Sequence, residues 1–159
     1  MGTKGREIVE LDVKKLLKLL NNAYADEWLA YYQYWIGAKI VKGLMKGVVI
    51  AELEEHASDE LKHAQMLVER ILQLNGKPLL KPQDWYANTH CGYNAPLDVS
   101  ADKIVKQNIK GERCAINVYK KLADFTKDKD PITYNMILEI LKDEVQHEDD
   151  LENILEDMK

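Results

Sequence analysis

A Glu-x-x-His tetrad occurs twice in this chain, as Glu60-Leu61-Lys62-His63 and as Glu144-Val145-Gln146-His147. Each copy lies inside a stretch whose apolar residues recur every three or four positions. At 100° per residue, a three-residue offset leaves two side chains about 60° apart on a helix, so a glutamate and a histidine project toward one point. Each tetrad is half of a metal site. With fourteen Glu and four His in the chain, random placement gives roughly 0.35 such tetrads, so the pair needs corroboration from its surroundings.

The surroundings supply it. Asp12 is an N-cap candidate, and Val13, Leu16, Leu17, Leu20, Tyr24, Glu27, Tyr31, Tyr34 and Ala38 form a stripe up to Gly43, which predicts a helix A of about 30 residues. Glu27 sits on that apolar stripe, where an ionised carboxylate must be paired or metal-bound to offset its desolvation. Taken alone it also reads as a partly exposed glutamate at the stripe edge. After a turn over Gly43 to Gly47, a second stripe runs through Val49, Leu53, His56, Glu60, His63, Leu67, Ile71 and Leu74 and closes at Asn75-Gly76, giving helix B. His56 lies one turn before Glu60, and a lone helical histidine reads first as a packing residue. Glu55 and Asp59, also one turn apart on helix B, form an acidic pair that reads either as a cation-binding pair or as a solvated face.

From Gly76 to Ser100 the periodicity stops, and Pro78, Pro82 and Pro96 forbid a continuous helix. A loop of that length fits a compact protein if it runs the length of the bundle, about 45 Å for a 30-residue helix. Such a crossover makes helices B and C parallel. Trp85, Tyr86 and Tyr93 are expected to anchor it on the outside of the bundle. Helix C starts at Ser100 or Asp102, with Ile104, Val105, Asn108, Glu112, Ala115, Ile116, Tyr119 and Leu122 as its stripe, and Glu112 repeats the situation of Glu27. A turn over Lys127 to Asp130 leads into Pro131 and helix D, which carries Tyr134, Ile137, Leu141, Glu144, His147, Leu151 and Leu155.

The order is lone Glu, Glu-x-x-His, lone Glu, Glu-x-x-His on four successive helices. Glu27 to Glu60 is 33 residues and Glu112 to Glu144 is 32, so the halves read as an internal repeat whose twofold brings two half-sites together. Glu27, Glu60, His63, Glu112, Glu144 and His147 then converge as four carboxylates and two imidazoles. That set suits two iron or manganese ions, because four negative charges balance two divalent cations and leave positions open for an oxidant. It is also the ligand arrangement general to di-iron carboxylate bundles.

Composition narrows the alternatives. A chain of 159 residues with 46% apolar and 31% charged residues fits one domain over 1–159 that buries about 70% of its unfolded surface. A net charge of −5 argues against a standing attraction to nucleic acid or anionic lipid. No apolar run approaches the roughly 20 residues of a membrane span, and the N-terminus lacks a signal-peptide core, so a cytoplasmic location is expected. Cys91 and Cys114 lack C-x-x-C spacing, which excludes a rubredoxin-type centre within the chain. A disulfide and a pair of unlinked buried thiols both remain open.

The segments Met136 to His147, Asp59-Glu60-Leu61-Lys62-His63-Ala64 and Glu69-Arg70-Ile71-Leu72 resemble bacterioferritin helices, and the resemblance extends over nearly the whole chain. It implies an all-α, ferritin-like four-helix bundle with a long crossover between helices B and C. It further implies that Glu27 and Glu112 are terminal ligands, Glu60 and Glu144 bridging ligands, His63 and His147 terminal imidazoles, and that Tyr34 lies near the metals. Bacterioferritins bind haem through a methionine directly after the first tetrad's glutamate; Leu61 stands there, so no haem is expected. Twelve residues follow His147, too few for the fifth helix of 24-subunit cages.

These departures, with the cysteines, make the chain similar to the Dps-like mini-ferritins called thioferritins, whose cysteine pair Cys91 and Cys114 match. Cys114, two residues past Glu112, is rotated about 200° from it and so points away from the metals toward the crossover. The resemblance implies a ferroxidase and iron store that oxidises Fe(II) with hydrogen peroxide or O2 inside a dodecameric homo-oligomeric shell and protects against oxidative stress, with the cysteines as a redox device. The alternatives are a bacterioferritin-like 24-subunit store and a DNA-coating nucleoid protein, which needs a basic outer face. An electron-fed peroxidase of the rubrerythrin kind needs four cysteine ligands that this chain lacks.

Overall fold

Asp12 starts the first long helix: its Oδ1 accepts from the backbone N–H groups of Lys14 at 2.9 Å and Lys15 at 3.2 Å, satisfying two amides that have no partner within the helix. In this computed structural model, which describes residues 2–159, the elements are α1 (Thr3–Glu7), α2 (Val13–Ile40), α3 (Lys46–Gln73), α4 (Pro82–Asn88), α5 (Ala101–Thr126) and α6 (Pro131–Asp157). Helices A, B, C and D of the sequence reading are α2, α3, α5 and α6. There is no strand among the described residues, and none of their helices is long and apolar enough to cross a membrane.

The chain direction follows from two backbone hydrogen bonds. Lys42 N–H donates to Val99 O at 2.8 Å and Ala101 N–H to Lys42 O at 3.0 Å, so the end of α2 lies beside the start of α5. Helix α3 leaves from that same end after a short turn, which makes α3 and α5 parallel. The fold is therefore a ferritin-like four-helix bundle in which the connection from α3 to α5 crosses the length of the bundle.

That connection is more ordered than its prolines imply. Pro82 occupies the first turn of α4, where its missing N–H costs nothing. Trp85 of α4 stacks on Trp28 of α2 with ring centroids 5.1 Å apart, and Leu79 N–H donates to Asn21 Oδ1 at 2.9 Å. Ser100 stands at the N-cap of α5, but its hydroxyl donates to Asp98 instead of closing the helix. At the end of α3, a Cβ on Gly76 would approach Leu17 Cδ2 to 2.3 Å and Ile71 O to 3.1 Å. A larger residue at that turn would have to displace the Leu17 side chain and crowd the Ile71 carbonyl.

Two apolar blocks fill the bundle. One packs Tyr34, Val41, Val49, Leu53, Ile104 and Leu151 at one end. The other packs Leu16, Leu20, Leu67, Ile71, Tyr119 and Ile137 at the opposite end. Each fully buried large aliphatic side chain contributes about 1.5–3 kcal/mol. Beyond the second block, Arg70 is buried on α3 and donates to both oxygens of Asp130 at 2.9 Å and to Thr133 Oγ1 at 2.7 Å. Asp130 also caps α6 by accepting from Thr133 N–H at 3.1 Å. This charge-assisted network joins α3 to the α5–α6 turn, and nothing in the helical periodicity announced it.

Candidate metal centre

Between the apolar blocks the stripe positions of all four helices turn polar. Glu27 of α2, Glu60 and His63 of α3, Glu112 of α5, and Glu144 and His147 of α6 are all buried, none more than 3% exposed. Helical spacing delivers them there: within each tetrad the glutamate and histidine share one face, and Glu27 and Glu112 arrive from the facing helices. Glu27, Glu60, His63 and Glu144 bring one ligand atom each within 4.8 Å of one another, and so do Glu60, Glu112, Glu144 and His147. All six sequence-derived candidates are thus together, and Glu60 and Glu144 belong to both groups.

The individual oxygens separate the roles. Glu144 Oε1 lies 3.1 Å from His63 Nδ1, while its Oε2 lies 3.7 Å from His147 Nδ1. Glu60 does the same, with Oε2 3.4 Å from His63 Nδ1 and Oε1 3.8 Å from His147 Nδ1. Glu27 faces His63 alone, at 3.5 Å, and Glu112 faces His147 alone, at 3.8 Å. Two carboxylates therefore span two half-sites and two terminate them.

Each imidazole is held from behind by the half that it does not belong to. His63 Nε2 lies 3.2 Å from Asp143 Oδ2 and His147 Nε2 lies 3.5 Å from Asp59 Oδ2. With Nε2 turned to the aspartate, Nδ1 of each ring faces the carboxylates, where it carries a proton in the metal-free layer and would offer its lone pair to a bound metal. The terminal glutamates are crossed in the same way: the Tyr34 hydroxyl donates to Glu112, and the Tyr119 hydroxyl donates to Glu27. Asp143 and Tyr119 were not singled out from the sequence. Their signal is the internal repeat itself, since Asp precedes the glutamate of both tetrads and Tyr follows both lone glutamates by seven residues. Of the acidic pair on α3, Glu55 is exposed and Asp59 turns to His147.

The layer is costly as side chains alone. Glu27 Oε2, Glu112 Oε2, both oxygens of Glu144 and His147 Nδ1 are buried without a hydrogen-bond partner. Buried groups of this kind cost several kcal/mol each unless paired. Burial, then the neighbouring Glu144 charge, pushes the Glu112 carboxyl up to about 8 and raises Glu60 well above the carboxylate range. Burial opposes a charged His147, but Glu112 and Glu144 outweigh it and lift the imidazole to about 10; Glu144, Glu27 and Glu60 likewise outweigh burial at His63 and raise it. Burial also works against an ionised Glu144, yet both histidines hold it down at about 2. Protons thus neutralise charges that two divalent cations would neutralise better. The unpartnered acceptors, all on O and N ligands suited to iron or manganese, fit that pair.

A cavity of about 110 Å³ is lined by Glu60, Glu112 and Glu144, by Gln33 and Asn108, and by the exposed Lys110. Cys91 also lines it and is disulfide-bonded to Cys114, with Cα atoms 5.7 Å apart. The alternative of two unlinked thiols does not hold. Asp26, the residue before Glu27, pins the Cys91 segment by accepting from His90 N–H at 2.8 Å and Cys91 N–H at 2.9 Å. The bond lies beside the site, and Cys91 and Cys114 belong to neither ligand group.

A family model described as a ferritin-like domain matches residues 17–159. The "DNA protection during starvation protein" of Pyrococcus furiosus is 35% identical over 160 residues, covering 98% of this chain and 86% of that protein. A bacterioferritin of Rhodobacter capsulatus is 26% identical over 141 residues, covering 87% and 81%. Among solved structures, a dodecameric thioferritin of Bacteroides fragilis, described as bacterioferritin-related, is 42% identical with a TM-score of 0.97, covering 99% of this chain and 95% of that one. Dps from Thermosynechococcus elongatus has a TM-score of 0.84 at 18% identity over 89% of this chain and 90% of its own, a likeness of fold alone.

Proposed function

Because this chain belongs to the ferritin-like family, we propose that it is a ferroxidase and iron store: it binds Fe(II) in pairs within one subunit, oxidises them and passes Fe(III) into a shell. The observation that carries this reading is that Glu60 and Glu144 each present one oxygen to His63 and the other to His147. Carboxylates so disposed hold two cations a few ångströms apart. Glu27 with His63 and Glu112 with His147 complete one ligand set for each.

Paired substrate ions suit a two-electron oxidant. Two Fe(II) give one electron each to hydrogen peroxide, and with two protons the products are two Fe(III) and two waters, which avoids the one-electron step that releases hydroxyl radical. The chain's own contribution is positioning. Asp143 and Asp59 keep Nδ1 of each histidine available, Tyr34 and Tyr119 orient the terminal carboxylates, and Glu112 and His147 exchange protons for metal. The cavity past Gln33 and Asn108 gives small reactants a route to Glu60 and Glu144.

We propose a dodecameric shell, supported by the 42% identical dodecameric thioferritin. DNA coating, raised by the name of the P. furiosus relative, fits poorly with a net charge of −5. Crystals soaked with Fe(II) and measured at the iron edge should show two anomalous peaks inside each subunit. Metal found solely between subunits, or Fe(II) oxidation undiminished in Glu60→Ala and Glu144→Ala, overturns the reading.

A further inference from the structure

A third group of metal-ligating side chains lies outside the paired centre. Glu52 and His56, four residues apart on α3, face Asp150 of α6, and one ligand atom from each lies within 4.8 Å of the others. His56 is 2% exposed; its Nε2 stands 3.1 Å from Glu52 Oε1 and its Nδ1 is buried with no hydrogen-bond partner. Nε2 is thus the nitrogen that His56 turns toward the carboxylates. Among the described residues, no lysine or arginine pairs with Glu52 or Asp150; the Gln146 amide donates to Asp150 Oδ1 at 2.9 Å. Two carboxylates and an imidazole thus converge without a lysine or arginine to balance them.

The position of the group is as informative as its chemistry. The His56 ring stacks on the His147 ring with centroids 4.0 Å apart and planes within 24°, and Asp150 follows His147 by three residues on α6. Glu52 and Asp150 are half-buried, whereas the six residues of the paired centre are fully buried. The group therefore lies against the outer side of His147, between the paired centre and solvent.

We propose that Glu52, His56 and Asp150 form a third, mononuclear site for a divalent first-row cation such as Fe(II), Mn(II) or Co(II). One imidazole and two carboxylates match those ions in ligand type and cancel their charge. With three protein ligands and solvent-accessible carboxylates, water completes the coordination, and the ion exchanges more readily than one in the paired centre. The site serves as a staging position for metal beside His147. That role rests on the ferroxidase reading above; the existence of the site does not.

Co(II) is the probe, because it binds the same ligands without being oxidised on the timescale of binding. Anomalous maps at the cobalt edge should show three peaks per subunit, the third among Glu52, His56 and Asp150. In Asp150→Asn, and independently in Glu52→Gln, that peak should vanish while the pair remains, and the Co(II) stoichiometry in solution should fall from three to two with melting unchanged. Both positions are half-exposed, so these variants fold. Peaks at the paired centre alone overturn the third site and leave the ferroxidase reading intact. A third peak that survives both substitutions, or one seated on other residues, also overturns it. A peak at the third site alone does the reverse, sinking the paired centre and sparing this one.

Discussion

Asp143 Oδ2 lies 3.2 Å from Nε2 of His63, and the two residues come from different Asp-Glu-x-x-His segments. Each segment thus orients the histidine of the other, with Asp59 and His147 as the second pair. Removing such a backing carboxylate typically costs 10–100-fold in metal affinity. Asp143→Ala should weaken Co(II) binding at the paired centre within roughly that range, and Asp143→Asn, which keeps an acceptor oxygen, should lose less. Competition against a chelator of known affinity measures both, and equal affinities in all three proteins would dismiss the orienting role.

Metal binding should release protons and tighten with rising pH. Glu112, lifted to about 8, and His147, lifted to about 10, hold protons at neutral pH that a cation must displace. Metal added to weakly buffered protein at pH 7 should acidify it. For the chelator-treated protein the sign is opposite. A group whose pKa is raised on folding stabilises fully below its unfolded value and loses that contribution as pH rises through the folded one. Melting temperature of the metal-free protein should therefore fall as pH climbs through about 8 toward about 10. A flat profile in both states would refute the assignment of protons to this layer.

Tyr34→Phe and Tyr119→Phe should behave alike, because each removes the hydroxyl that donates to a terminal glutamate. Leaving a buried carboxyl oxygen without its hydrogen-bond partner costs about 1–3 kcal/mol. Urea unfolding of the metal-free variants should show similar losses, and a large effect at one position with none at the other would break the symmetry inferred from the fold.

Arg70→Ala should be more damaging than any surface substitution. It leaves the Asp130 carboxylate buried without its cation, a kind of loss that costs about 3–5 kcal/mol. Asp130 also caps α6, so amide hydrogen exchange should show the start of that helix fraying first. A loss within about 0.5 kcal/mol would place Arg70 among ordinary surface residues.

The disulfide between Cys91 and Cys114 closes a sequence separation of 23 residues, for which chain entropy gives about 3 kcal/mol. Cys114→Ser should lower stability by that order. The redox role is tested separately, by thiol titration with and without Fe(II) and peroxide. Identical titres under every condition would leave the bond as a staple.

The bundle and its six central residues were legible because helical spacing encodes which side chains share a face. Glu27 on an apolar stripe, and Glu60 with His63 three apart, need no knowledge of neighbours to be placed. What spacing does not encode is contact between elements. Tyr119 reads as one more stripe residue, and spacing assigns nothing to Asp143 or Arg70; each acquires its role from a side chain at least 60 positions away. The order in the crossover was hidden for the same reason, since the stack of Trp85 on Trp28 supports a helix that Pro82 alone would not reveal. His56 reads as packing from its own helix, because Asp150 approaches it from another.

The separation of the apolar interior into two end blocks has a dynamic consequence. In an ordinary bundle the helix ends fray and the centre exchanges its amide hydrogens last. Here the ends are the well-packed parts, and the middle is held by charges that need a counterion. Without metal, opening should begin at the waist, so backbone amides around Glu60 and Glu144 should exchange sooner than those around Leu20 or Ile104, and loading should restore the usual order. The protein would then register its own iron as stiffness at its centre.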